Sequence, residues 1–132
     1  MELLDSRRLT GLNLWSPGPG AVVDVRFGPE EEPESAIRAW SRALDRMLTA
    51  LSWSKMPRWV RRHDGGATLV MDAPLDALYA ATEINEWAVA EASGEAPDLA
   101  DTAHAIQASI DEEANPALLE LQNAADARGV PF

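Results

Sequence analysis

The sequence feature that most constrains the fold is a long, largely apolar stretch from Pro74 to Ser93, PLDALYAATEINEWAVAEAS. Its apolar residues recur at helical spacing on two adjacent faces, which is typical of a helix that contacts partners on several sides. Asp72 is the expected cap, Pro74 suits the first turn, and Ser93-Gly94 supplies a left-handed stop. We therefore predict a central, buried helix. Its predicted apolar surface comprises Leu75, Ala77, Leu78, Tyr79, Ala81, Thr82, Ile84, Trp87, Ala88 and Val89.

Length and cysteine content limit the architecture and the chemistry. The 132 residues suit a single domain, residues 1–132, that buries roughly two-thirds of its unfolded surface without disulfides or metals. The chain has no cysteine, which excludes disulfides, thiolate metal sites and a cysteine nucleophile. Together with the lack of a recognisable signal peptide and of a long apolar run, this predicts a cytoplasmic domain with no membrane partner.

The net charge of −11 is distributed unevenly along the chain. Residues 1–62 carry ten basic and eight acidic residues, a net charge of +2. Residues 63–132 carry one basic and fourteen acidic residues, a net charge of −13. The acidic second half would repel phosphates, so the sequence predicts no nucleic-acid partner. Most of these acids are expected to be solvated surface residues.

The remaining elements follow from apolar periodicity and from turn residues. Two strands pair across a long loop, a helix with Trp40 and Leu44 on its apolar face follows, and further helices follow the central one. The predicted fold class is α+β, with a small mixed sheet of about three strands packed against about four helices. The predicted strands are Glu2–Leu9, Ala21–Phe27 and Ala67–Met71. The other predicted helices are Ser35–Trp53, Pro97 to about Glu113, and Asn115-Pro116 to Gly129. A last extended segment is predicted to begin at Val130.

The basic residues concentrate in Ser54–Gly66, which breaks the helical pattern at Pro57 and is predicted to be a loop. Arginines beside aromatic residues suit phosphate or carboxylate recognition, because a guanidinium binds two oxygens and stacks on a ring. The alternative is a surface loop whose arginines pair with the acidic half of the domain, and the sequence leaves both open. The residues concerned are Lys55, Arg58, Arg61 and Arg62, next to Trp53, Trp59 and His63.

Motifs for catalysis and nucleotide binding are missing from the sequence. It has no phosphate-binding loop, no G-x-S-x-G and no H-E-x-x-H, and His63 and His104 fall in different predicted elements. Glu83 and Glu86 on the central helix could hold a cation or act as an acid and base, but such a pair more often forms a helix edge that meets arginines. We predict no catalytic residue, no metal site and no cofactor in this chain.

Both ends of the chain resemble a known family. Leu9–Ser16, LTGLNLWS, is similar to the L-R-G-P-N-x-W-S start of the N-terminal domain of cyanophycin synthetases and related Mur ligase family proteins. Gly11, Asn13, Trp15 and Ser16 match, whereas the family proline is Leu12 here. Ala125–Phe132, ADARGVPF, is similar to the A-D-A-R-x-I-P-W segment that closes that domain. The resemblance covers nearly the whole chain.

This resemblance implies a non-catalytic accessory domain of an ATP-dependent ligase that joins an amino acid to a carboxylate. The natural chain would continue past Phe132, and ATP and Mg²⁺ would bind in the catalytic part of the parent. The expected partners are those catalytic domains and a charged, peptide-like polymer or amino-acid substrate; homo-oligomer formation is left open. The candidate substrate-binding residues are Asn13 and Trp15 of the first loop and Arg58, Arg61 and Arg62 of the basic segment.

One departure from the family bears on catalysis. Some cyanophycin synthetases carry an H-x-x-E-H helix that binds a metal and hydrolyses the polymer. The corresponding positions here are Ala80 to Ile84, of which only Glu83 is retained. Without the imidazole ligands that metal site cannot form. A hydrolase is therefore the least favoured hypothesis, and the main alternative to the accessory domain is a free-standing acidic protein-interaction domain that uses the surface around Trp53, Trp59 and the arginines.

Overall fold

The computed structural model describes residues 1–9, 19–53, 56–73 and 77–113. These residues form four strands and three helices, so the predicted α+β class is confirmed. The predicted helix after Asn115 and the segment from Val130 lie outside the described residues. In chain order the elements are β1 (Glu2–Leu9), β2 (Gly20–Arg26), α1 (Pro33–Ala50), β3 (Arg58–His63), β4 (Gly66–Asp72), α2 (Leu78–Ala92) and α3 (Leu99–Glu113).

The strands form one sheet in the order β1-β2-β4-β3, with every neighbouring pair antiparallel. The predicted pairing of β1 with β2 is confirmed. The described sheet has four strands where about three were predicted, and it is entirely antiparallel instead of mixed. The additional strand is β3, which lies at one edge of the sheet, and β1 lies at the other.

Strand β3 occupies a segment that was predicted to be a loop. It pairs with β4 from Arg58 opposite Met71 to His63 opposite Gly66, and Asp64-Gly65 forms the turn between them. Gly65 has a φ of +73°, the left-handed conformation that this tight turn requires. A Cβ on Gly66 would lie 2.2 Å from the carbonyl oxygen of Val25, so the hairpin can approach β2 only with glycine there.

Helix α1 has well-defined caps at both ends. The Glu32 carboxylate accepts hydrogen bonds from the backbone N–H groups of Glu34 (3.3 Å) and Ser35 (2.7 Å), and Pro33 occupies the first turn. At the other end Ser52 adopts a positive φ of 57°, and the N–H of Trp53 donates to the carbonyl of Leu48 at 2.9 Å. This is a Schellman stop, and it ends the helix before the basic segment.

Helix α2 is the buried central helix that the sequence predicts, with two differences. It begins at Leu78 with Ala77 as cap residue, and the expected cap Asp72 instead ends β4; Pro74 lies outside the described residues. Tyr79, predicted to widen the apolar surface, is 57% exposed, and the guanidinium of Arg8 stacks on its ring at 4.1 Å. The predicted stop at Gly94 is confirmed by its φ of +76°.

The core lies between the helices and one face of the sheet. Alternate residues of β2 and β4 point to this face, and they pack with buried residues of α1, α2 and α3. Trp40 and Leu44, predicted for the apolar face of this helix, are both fully buried in α1. Trp40 of α1 contacts Asn85 of α2, and Arg46, further along α1, contacts Glu91, further along α2. Helices α1 and α2 therefore run in the same direction. None of the described helices is both long and apolar enough to cross a membrane.

The second face of the sheet carries a polar network beside buried valines. Val22 and Val70 are paired across β2 and β4 and are buried. Two residues further along on the same face, Thr68 Oγ1 donates to Asp24 Oδ1 at 2.7 Å, and Arg7 Nη1 donates to the other Asp24 oxygen. The Asp24 side chain is therefore fixed by partners from two neighbouring strands.

Candidate functional site

The predicted binding residue Arg58 lies at the start of β3, and its side chain is only 13% exposed. Its guanidinium donates to Asp45 Oδ1 at 2.6 Å and to the carbonyl and hydroxyl oxygens of Ser41 at 2.8 and 2.9 Å. Both acceptor residues belong to α1. The contacts join the edge strand to the first helix and leave Arg58 few donors for a ligand.

The other two predicted arginines lie further along the same strand and are exposed. Because side chains alternate along a strand, Arg58 and Arg62 project from the helix-facing side and Arg61 from the opposite side. The structure therefore does not gather the three guanidinium groups around one point. The remaining candidates, Asn13 and Trp15, lie outside the described residues, as does Lys55.

A cleft that the sequence did not single out lies between α1 and the C-terminal part of α2. It has a volume of about 410 Å³. Arg46 Nη2 binds Glu91 Oε1 at 2.7 Å across its wall, and the Arg46 guanidinium lies 6.0 Å from the centre of the Trp87 ring. The lining residues are Ala39, Arg42, Asp45, Arg46, Glu91 and Ala92.

Arg42 is the cation of this cleft that remains available to a ligand. Within the described residues its guanidinium makes no hydrogen bond, ion pair or ring contact, whereas Arg46 is paired with Glu91 and Asp45 with Arg58. Arg38, Arg42 and Arg46 follow one another at four-residue spacing on α1, so they share one side of the helix. The sequence contains this spacing, but it does not show that Glu91 of α2 lies across the cleft from these arginines.

The arrangement of charges in the cleft indicates which ligands fit it. A free guanidinium recognises a carboxylate or a phosphate through two parallel hydrogen bonds. The carboxylates of Asp45 and Glu91 are already ion-paired with Arg58 and Arg46, so they leave little net negative charge for an amino group of a ligand. The unpaired charge of the cleft is therefore that of Arg42, which suits a ligand that carries a carboxylate or a phosphate group.

The acidic residues of α2 hold no metal site in the described part of the chain. Glu83 accepts a hydrogen bond from Ser109 Oγ of α3 at 2.9 Å, which ties the two helices together. Within the described residues no group of three or more histidine, aspartate and glutamate side chains is placed to hold a metal ion. Ala80 and Ile84 of α2 are fully buried in the core.

Asp24 is the carboxylate on the sheet whose ionisation the structure perturbs most clearly. Burial by itself would raise the pKa of Asp24, but the hydrogen bonds from Arg7 and Thr68 and the positive charges of Arg7 and His63 outweigh it, so the pKa is lowered. Asp24 is thus held ionised. This suits a structural ion pair and not an acid that must exchange a proton near neutral pH.

No protein-family model matches the chain, and a search of curated proteins found no significant match.

Proposed function

We propose that this chain is the N-terminal accessory domain of an ATP-dependent ligase that forms an amide bond between an acid and an amino acid. The observation that carries the proposal is the pair of terminal segments, Leu9–Ser16 and Ala125–Phe132, which resemble the two ends of the corresponding domain in cyanophycin synthetases and Mur ligase family proteins. The α+β fold between them is compatible with such a domain. Its role in the parent is to hold a charged substrate or to support the catalytic domains.

We assign this role to the cleft between α1 and α2. Arg42 provides an exposed guanidinium for a substrate carboxylate, beside the ion pairs Arg46–Glu91 and Arg58–Asp45. Arg62 on β3 offers a second exposed cation, for a longer substrate or for an acidic surface of the catalytic part. Arg58 supports this region by fixing β3 to α1.

The first test concerns the natural protein that contains these residues. Its coding sequence should continue past Phe132 into a segment with a phosphate-binding loop, and the purified protein should release ADP or phosphate only when both an acid and an amino acid are supplied. A coding sequence that ends at Phe132, in a protein that associates with no ligase, would exclude the accessory-domain hypothesis and favour the free-standing interaction domain.

The second test separates substrate holding from scaffolding. Arg42→Ala in the full-length ligase should raise the KM for the charged substrate by about tenfold to a hundredfold, because a bidentate, charge-assisted contact contributes roughly 1.5–3 kcal/mol. The melting temperature should stay unchanged. Arg26→Ala is the matched control, since Arg26 is an exposed arginine that pairs with Glu2 away from the cleft. A KM that is equal in the two variants would restrict the domain to a scaffolding role.

A further inference from the structure

We propose that β1 is a self-association edge, which pairs antiparallel with β1 of a second copy of this chain and joins the two sheets. This inference does not depend on the proposed ligase function. It rests on the position of β1 in the sheet, on the order of charges along it, and on one unpaired hydroxyl group.

Strand β1 has one free edge within the described part of the chain. It pairs with β2 on one side, and no described strand pairs with it on the other. The outer edge of such a strand presents backbone N–H and C=O groups that can form a new ladder. Two large apolar side chains also lie here, with Leu3 42% and Leu4 52% exposed. An extended segment added at this edge would cover part of both.

The order of charges makes β1 complementary to itself. Its sequence, Glu-Leu-Leu-Asp-Ser-Arg-Arg-Leu, has both acids in the first half and both arginines in the second. When two identical strands run antiparallel, the first half of each lies opposite the second half of the other. An acid of each strand can then face an arginine of the other, once on each side of the two-fold axis. A parallel pairing in register would instead place like charges opposite each other, which is destabilising.

The charges also select a register. Asp5 and Arg7 both lie in the regular part of the pairing with β2, after the irregularity between Leu3 and Asp5. Because they are two residues apart there, their side chains project from the same face of the sheet. With Ser6 on the two-fold axis, Asp5 lies opposite the partner subunit's Arg7, and Arg7 lies opposite the partner subunit's Asp5. Arg7 already binds Asp5 and Asp24 through Nη1 in its own chain, so its other N–H groups are available for the partner.

Ser6 supplies an independent observation at the same point. Its Oγ is the buried side-chain polar atom that lacks a hydrogen-bond partner among the described residues. Buried polar atoms are normally paired, so this atom needs an explanation. On the axis of the proposed dimer the two Ser6 side chains are directly opposite, and rotation about χ1 lets the hydroxyl groups form a cross-strand hydrogen bond.

Sedimentation velocity over a range of concentrations tests the association. One added strand pair buries less than the roughly 1,200–2,000 Å² of a stable interface, so we expect a weak dimer whose fraction rises with concentration. Asp5→Lys should raise the dissociation constant by about tenfold or more, because it places like charges opposite each other twice per dimer. Glu112→Lys, the same charge change at an exposed position of α3, should leave the constant unchanged.

Cross-linking tests the register, and the lack of cysteine in the chain makes it unambiguous. Directly opposite residues in an antiparallel pair have Cα atoms about 4.5–5.5 Å apart, within the range that a disulfide spans. Ser6→Cys should therefore give a covalent dimer under mild oxidation, and Glu112→Cys should not. A wild-type chain that stays monomeric at every concentration would overturn the proposal. So would a dimer that survives Asp5→Lys and forms no Ser6→Cys cross-link, because it would use another surface.

Discussion

The indole N–H of Trp40 in α1 donates a 2.8 Å hydrogen bond to Oδ1 of Asn85 in α2, with both side chains fully buried. The Asn85 amide nitrogen in turn donates to the backbone carbonyls of Ala21 (3.1 Å) and Leu69 (3.3 Å). One amide thus connects α1 and α2 to the two central strands, β2 and β4. A polar group in a core is tolerated only when its hydrogen bonds are made, and here the acceptor and both donors of Asn85 are used.

Asn85→Ala should reduce the free energy of unfolding by at least about 1–3 kcal/mol, because the buried Trp40 N–H loses its acceptor and cannot reach water. Urea titration followed by tryptophan fluorescence measures the change. Trp40→Phe removes the same hydrogen bond from the donor side, so the double variant should lose less than the two single changes add up to. Gln107→Ala on the exposed side of α3 is the control. An equal loss of unfolding free energy in Asn85→Ala and Gln107→Ala would contradict a stabilising role of the Asn85 hydrogen bonds.

Leu44→Ala should cost about 2–5 kcal/mol, the usual range for removing a buried leucine side chain. Leu44 is 0% exposed in the core between α1 and the sheet. Val60→Ala provides the comparison, because Val60 on the edge strand β3 is 38% exposed and its truncation should change stability by about 0.5 kcal/mol or less. Denaturant titration of both variants checks the difference. A loss below about 0.5 kcal/mol for Leu44→Ala would show that this face of α1 is not in the core.

The helices were predictable from sequence because their periodicity is a local property. The spacing of Trp40 and Leu44 defines an apolar face without any knowledge of its partner, and Gly94 ends α2 for a reason confined to its own backbone. Strand β3 was missed because an edge strand with two largely solvated faces shows no alternation of apolar and polar residues. A signal was present in Asp64-Gly65, a dipeptide typical of a tight hairpin, but the arginines before it favoured a loop.

The candidate site was less predictable because it depends on contacts between distant residues. The sequence shows that Arg58 is basic, but not that Asp45 and Ser41 on α1 occupy its donors. It shows Arg42 on the polar side of a helix, but not that Glu91, far along the chain, lies across the cleft. Periodicity assigns a residue to a face of its own element. Which two faces meet is decided by tertiary packing.

The arginines of β3 should differ in their effect on stability. Arg58→Ala should reduce the free energy of unfolding by about 1.5–3 kcal/mol, because it removes charge-assisted hydrogen bonds from a largely buried guanidinium. Arg62→Ala, which removes the same side chain from an exposed position of the same strand, should change stability by about 0.5 kcal/mol or less. Thermal unfolding of the two variants measures the contrast. Equal melting temperatures would mean that the contacts of Arg58 with α1 contribute nothing to folding.

The ion pair of Asp24 with Arg7 should make stability depend on pH in the acid range. Because the pKa of Asp24 is lower in the folded protein than the ordinary value of about 4, the unfolded chain takes up the proton first as the pH falls. The stabilisation is therefore fully present above about pH 5, and it is lost progressively as the pH falls from there through the folded-state pKa. Asp24→Asn cannot be protonated, so it should be less stable than the wild type at pH 7 and should lose less stability on acidification.

Urea titrations of the wild type and of Asp24→Asn at a series of pH values between about 7 and 2 measure this difference. Glu112→Gln carries the same change of charge at an exposed position of α3, and it should keep the pH dependence of the wild type. The Asp24 carboxylate is about a quarter exposed, so part of its interaction with Arg7 is screened by solvent, and added salt should reduce the effect without abolishing it. Parallel stability curves for the wild type and Asp24→Asn below about pH 5 would show that Asp24 has the same pKa in the folded and unfolded chains, which would contradict the hydrogen bonds from Arg7 and Thr68.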